Sequence, residues 1–169
     1  MDILEFAMQM ELDGKAFYEA SARDVKDEEL RKVLIMLAEE EDKHYRIFKK
    51  FKQGDTGPMA AGTAIHSKTL NAVKNIFRDM SSNAESRTFA KDERSMWEKA
   101  LDIEHKSERF YREKAAAEPD KTRKDLLSII ANEERNHIYL IDSVLTYMKF
   151  PETFADSAQF KDFQSLEGH

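Results

Sequence analysis

Cysteine is absent from the 169-residue sequence, which excludes disulfides, thiolate zinc sites and thiol catalysis. The absence fits a reducing compartment. Glycine (5) and proline (3) are scarce and β-branched runs are few, a composition that disfavours a sandwich or an α/β sheet and favours an all-α chain. No stretch approaches the roughly 18 apolar residues needed to span a bilayer. A secretory leader is not expected either, since Met1-Asp2-Ile3-Leu4-Glu5 carries acids among its first apolar residues. Excess positive charge is also missing. The formal net charge is -6 with no basic stripe, which argues against nucleic acid or an anionic membrane as partner. The expected location is the cytoplasm.

What is present is a helical pattern with polar residues in the wrong places. Reading outward from Asn132-Glu133-Glu134-Arg135-Asn136-His137 at steps of three and four gives Leu127, Ile130, Glu134, His137 and Ile141. That is a buried helix stripe holding a carboxylate and an imidazole where two aliphatics belong. A charge on a core stripe is costly unless something pairs with it. The same arrangement occurs 93 residues earlier as Leu34, Leu37, Glu41, His44 and Phe48.

Four long helices account for most of the chain. The first is predicted from Ile3 to Arg23, with inner stripe Ala7, Glu11, Gly14, Tyr18 and Ser21. A mid-helix glycine costs roughly 0.5–1 kcal/mol against alanine, so Gly14, one turn from Glu11, makes room for something. The acidic turn Asp27-Glu28-Glu29 opens a second helix reaching Phe51, which Gln53-Gly54-Asp55-Thr56-Gly57-Pro58 stops. Residues 53–87 read as a crossover connection with one short helix, Ser67 to Met80. A third helix is predicted from Thr88 to Ala117, with inner stripe Trp97, Ala100, Glu104, Ser107 and Tyr111. The fourth carries Pro119 in its first turn and ends near Phe150 before Pro151. The tail, 151–169, carries Phe154, Phe160 and Phe163 and is expected to fold back on the bundle.

An internal repeat ties the halves, 3–52 and 88–150, together. A shift of 93 carries Glu11 to Glu104, Tyr18 to Tyr111, Leu34 to Leu127, Glu40 to Glu133, Glu41 to Glu134 and His44 to His137. Two helical hairpins with the same internal spacing imply a pseudo-two-fold four-helix bundle over residues 1–150. Glu and His at i, i+3 share a helix face and can bind one ion together. Two such pairs plus Glu11 and Glu104 place four carboxylates and two imidazoles about the bundle axis, the known ligand pattern of di-iron and di-manganese carboxylate bundles. Two divalent cations neutralise four carboxylates that would otherwise repel one another and protonate. Oxygen and imidazole ligands without sulfur suit iron or manganese, with zinc an alternative occupant. Bridging carboxylates would hold the ions about 3.5–4 Å apart, a spacing suited to splitting an O–O bond. The bland alternative, surface salt bridges on ordinary amphipathic helices, requires both core stripes to be misphased.

On Glu11-x₆-Tyr18, Glu41-x-x-His44, Glu104-x₆-Tyr111 and Glu134-x-x-His137 the chain resembles the rubrerythrin branch of the ferritin-like superfamily over about residues 3–150. The tail Pro151-Glu152-Thr153-Phe154 with Ala158-Gln159-Phe160 is similar to single-domain relatives. The resemblance implies an all-α ferritin-like four-helix bundle with a long crossover between helices 2 and 3. It also implies two iron ions, bridging roles for Glu41 and Glu134, terminal roles for Glu11 and Glu104, and one histidine per iron. Two departures stand out. Full-length relatives carry a cysteine-ligated rubredoxin domain; with no cysteine here, an external rubredoxin-like electron donor is expected. The family's third helix has a second carboxylate three residues after its Glu, used in a redox-linked ligand swap, and Ser107 stands there.

Tyr18 and Tyr111 are expected to hydrogen-bond metal carboxylates of neighbouring helices. Glu108, four residues after Glu104, offers a substitute for the missing second carboxylate but reads first as a solvated residue, as does His105; Trp97 reads as core packing, and His66, in the crossover, carries no signal. The expected activity is reduction of hydrogen peroxide or dioxygen by a homodimer or small homo-oligomer. Two other uses of the same six residues stay open: a ferroxidase centre of an iron-storage or iron-buffering shell, and a bundle in which metal only holds the fold.

Overall fold

The computed structural model describes residues 2–57, 71–72, 74–80, 89 and 91–150. Four long helices dominate: α1 (Ile3–Asp24), α2 (Glu28–Lys52), α3 (Lys91–Ala117) and α4 (Lys121–Lys149). No strand occurs among the described residues. Residues 71–72 and 74–80 of the connection between α2 and α3 are helical too, and Phe77 and Met80 there are fully buried. The remainder of the expected Ser67–Met80 helix, with Leu70 and Val73, most of the crossover, His66, and the tail with its expected packing all lie outside the described residues.

Helix boundaries follow local chemistry. The Asp27 carboxylate accepts from the backbone N–H of Glu29 and Leu30 at 3.0 and 3.2 Å, capping α2. Across the same junction Arg31 donates to the carbonyls of Ala22 and Val25, closing the end of α1. Gly54, at φ 88°, ends α2 with a conformation that other residues rarely adopt. Pro119 does not sit in the first turn of α4, as its position suggested. Asp120 caps that helix by accepting from Arg123 N–H at 2.8 Å. Pro119 acts backwards instead: it disfavours helical backbone at Glu118, and α3 ends at Ala117. The start of α3 also differs, because Phe89 is not helical and the helix begins at Lys91.

The helices form two hairpins, α1 with α2 and α3 with α4, which meet where α1 faces α3 and α2 faces α4. Tyr18 reaches Glu104 while Tyr111 reaches Glu11, so α1 and α3 run antiparallel. Lys15 pairs with Asp42, and His44 faces Glu11, so α1 and α2 are antiparallel too. It follows that α2 and α3 point the same way, and their connection must return along the length of the bundle. This is why it is long.

The core is split in two. One apolar cluster packs Tyr18, Leu30, Leu34, Trp97, Ile141, Val144 and Tyr147 together with Phe77 and Met80. The other packs Leu4, Ala7, Phe48, Tyr111, Leu127 and Ile130. In every long helix the buried stretch between the two clusters carries acidic or imidazole side chains: Glu11; Glu40, Glu41 and His44; Glu104 and Glu108; Glu133, Glu134 and His137. The apolar ends hold the helices in register and the polar layer is clamped between them.

Candidate metal centre

All six residues of the expected ligand set converge. Glu11, Glu41, His44, Glu104, Glu134 and His137 are each at most 5% exposed. They fall into two groups whose ligand atoms lie within 4.8 Å of one another: Glu11, Glu41, His44 and Glu134, and Glu41, Glu104, Glu134 and His137. Glu41 and Glu134 belong to both. Nδ1 of His44 lies 3.2 Å from Glu11 and 3.2 Å from Glu134. Nδ1 of His137 lies 3.3 Å from Glu41, 3.5 Å from Glu104 and 3.4 Å from Glu134. The two imidazole planes are inclined by only 15°, with centroids 5.5 Å apart.

Whether these residues suit cations can be read from their unmet valences. One oxygen of Glu41, both of Glu134 and both ring nitrogens of His137 are buried without a hydrogen-bond partner. Buried polar atoms are ordinarily paired, and leaving one bare costs about 1–3 kcal/mol. Here the bare carboxylate oxygens and His137 Nδ1 lie together, Nδ1 being 3.3 Å from Glu41 and 3.4 Å from Glu134, an arrangement that two cations would satisfy at once. Gly14 contributes space: a Cβ at this position would lie 2.7 Å from Glu41 Oε2. The expectation that Gly14 makes room is met by the carboxylate of the adjacent helix.

The electrostatics of the metal-free chain point the same way. Burial, then the charges of Glu104 and Glu11, push Glu134 up to about 8. Burial and the neighbouring carboxylates Glu134, Glu11 and Glu104 raise Glu41 strongly. Burial also opposes ionisation of Glu104, but the charge of His137, the proximity of Glu134 and the hydrogen bond from Tyr18 overcome it and hold this carboxylate at about 2. For His44 and His137 burial disfavours the imidazolium; the charge of Glu11 on the first and of Glu104 on the second outweighs it, and both are raised well above the usual imidazole range. Protons thus stand in for missing positive charge, and cations binding here must displace them.

Around these six side chains a further layer fixes their orientation. The Tyr18 hydroxyl donates to Glu104 Oε1 and the Tyr111 hydroxyl to Glu11 Oε1, each from a neighbouring helix, as their spacing predicted. Burial and the nearby carboxylates raise both phenols well above their usual range, so they remain donors. Two residues escaped the sequence reading. Glu133 is buried and its Oε2 lies 2.6 Å from His44 Nε2, while Glu40, its counterpart in the repeat, is buried and accepts from Lys43 at 2.5 Å. The signal was available, since both precede a histidine by four residues and coincide under the shift of 93.

Glu108 needs correcting. Read as solvated, it is buried, and its Oε1 accepts from Arg112 Nε at 2.7 Å and Arg135 Nε at 2.9 Å. Ser107, placed on the inner stripe, is only partly buried. A helix turns 3.6 residues at a time, so a stripe through Glu104 and Tyr111 passes between positions 107 and 108, and the two arginines draw the longer side chain inward. His105 is exposed and Trp97 fully buried, as expected.

No helix among the described residues is long and apolar enough to cross a membrane. A family model described as Rubrerythrin matches residues 2–145. No match was found among curated proteins or among solved structures.

Proposed function

We propose, from the premise that this chain belongs to the rubrerythrin family, that it is a di-iron oxidoreductase reducing hydrogen peroxide, or dioxygen, with electrons from a separate donor protein. The observation that carries this reading is the pair of four-residue groups sharing Glu41 and Glu134. Two ions held there would have Glu41 and Glu134 between them, Glu11 and His44 completing one, and Glu104 and His137 completing the other. Manganese or zinc would fit the same donors.

Two iron ions so held would supply the two electrons that a peroxide O–O bond takes up on cleavage. With two protons the products are two molecules of water. The chain's own residues do the rest. Tyr18 and Tyr111 hold Glu104 and Glu11 by hydrogen bonds that keep each carboxylate aimed inward. Glu133 ties down the His44 ring so that its Nδ1 faces the carboxylates. The apolar clusters above and below exclude water, which strengthens every charge interaction in the layer. None of the 169 residues is a cysteine, so no residue of this bundle can ligate an electron-transfer iron through thiolates.

The test is anaerobic loading with Fe(II) followed by one equivalent of hydrogen peroxide. Two ions per chain and the appearance of the oxidised metal pair's near-ultraviolet absorption are expected. A chain that binds two ions but consumes peroxide no faster than free iron would reject peroxide reduction and leave a structural metal.

A further inference from the structure

The two histidines are related by the repeat, yet they are not held alike. Nε2 of His44 lies 2.6 Å from Glu133 Oε2. Nε2 of His137 is buried and has no hydrogen-bond partner. The residue that symmetry would offer it is Glu40, and Glu40 is close: one of its oxygens and a ring nitrogen from each of His44 and His137 lie within 4.8 Å of one another. What separates the halves is one turn further along the helix. Lys43 donates to Glu40 Oε1 at 2.5 Å, whereas the position equivalent to Lys43 is Asn136, which has no charge to compete for Glu133.

We infer that Lys43 is a positioning residue that makes the two metal positions inequivalent: by drawing Glu40 away from His137 it leaves the group Glu41, Glu104, Glu134 and His137 the weaker of the two. The inference rests on the metal-centre reading above. The physical basis is that a carboxylate accepting from the outer N–H of a metal-binding imidazole fixes the tautomer and ring orientation, and raises the basicity of the nitrogen facing the metal. His44 has that support from Glu133 and His137 lacks it. The ammonium of Lys43 is only half-buried and bonds a residue on its own helix. Its effect is therefore local: it takes one acceptor from the neighbouring helix's histidine without entering the ligand set.

Anaerobic Co(II) titration, followed by calorimetry and by the visible absorption of the bound ion, separates the possibilities. In the unaltered chain two ions are expected to bind in steps at least about tenfold apart in affinity, the range by which such outer partners act. Glu133→Gln should weaken the tighter step by about tenfold or more and leave the other nearly unchanged. Lys43→Asn should strengthen the weaker step toward the first, and adding Glu40→Gln to Lys43→Asn should cancel that gain. If the double variant keeps the gain, Lys43 acts merely through its charge and the inference is wrong. Equal steps in the unaltered chain, or no response to Lys43→Asn, overturn it as well. Binding of fewer than two ions would sink the metal-centre reading and this inference with it, whereas two ions bound equally would sink the inference alone.

Discussion

Glycine is the poorest helix former after proline, and Gly14 nonetheless sits in the middle of α1 with the Glu41 carboxylate against it. Two effects of Gly14→Ala therefore run in opposite directions. Alanine favours the helix by about 0.5–1 kcal/mol, and the atom it meets is the far end of a flexible side chain that can turn aside. Thermal melts of the metal-free variant should show stability unchanged or slightly raised. The displaced Glu41 can no longer serve both ions, so metal affinity should fall about tenfold or more in the titration described above. Tyr18→Phe tests a different support. It removes the hydroxyl that donates to Glu104 and leaves a buried carboxylate oxygen bare. A loss of about 1–3 kcal/mol in denaturant unfolding of the metal-free chain is expected, with the larger effect on the Glu104 and His137 half of the site. An unchanged midpoint would show that Tyr18 merely packs.

At the scale of the helix, capping and stripe phase decide what reaches the axis. Asp27 holds the first turn of α2, and through it the register of Glu41 and His44, by accepting from Glu29 and Leu30. Asp27→Ala should lower stability by about 1 kcal/mol, read as a shifted denaturant midpoint at constant slope, with both metal ions still bound. Glu108 illustrates the limit of stripe arithmetic. Position 108 lies as near the inner face as 107, and which of them is buried depends on Arg112 and on Arg135, which comes from another helix. Held by two guanidinium groups one turn from Glu104, Glu108 is committed to ion pairs at the edge of the polar layer.

For the whole molecule the telling property is how stability changes with pH. Glu134, at about 8, and Glu41 are raised above the ordinary carboxylate value. The folded metal-free chain therefore holds protons on them that the unfolded chain releases above about 4.5. The stability Glu134 contributes is fully present below that pH and is lost as pH rises through about 8, and that of Glu41 is lost in the same direction. His44 and His137 are raised too, and their contribution disappears in the same direction. Glu104, at about 2, acts oppositely, but its contribution is lost only in strong acid. The melting temperature of the metal-free chain should consequently fall between pH 5 and pH 9. Metal loading should flatten or reverse that slope, because cations replace the protons. A metal-free chain whose melting temperature rises over this interval would contradict the protonated core. In a molecule whose centre is ionic, two separate apolar clusters must supply the burial that holds the helices together.

The long helices, the repeat and the six inward residues were legible in the order of the amino acids alone. Apolar periodicity fixes which face of each helix is buried, and Glu11, Glu41, His44, Glu104, Glu134 and His137 fall on that face whatever lies opposite. Tyr18 and Tyr111 were legible for the same reason. Contacts between helices were not. That Glu133 turns to His44 while Glu40 turns to Lys43, that Glu108 is drawn in by Arg135, and that Glu41 rests on Gly14 depend on distances across the bundle. Spacing along one helix assigns a residue to a face, but the partner it meets there is set by the packing of the other three, and only the tertiary structure contains that.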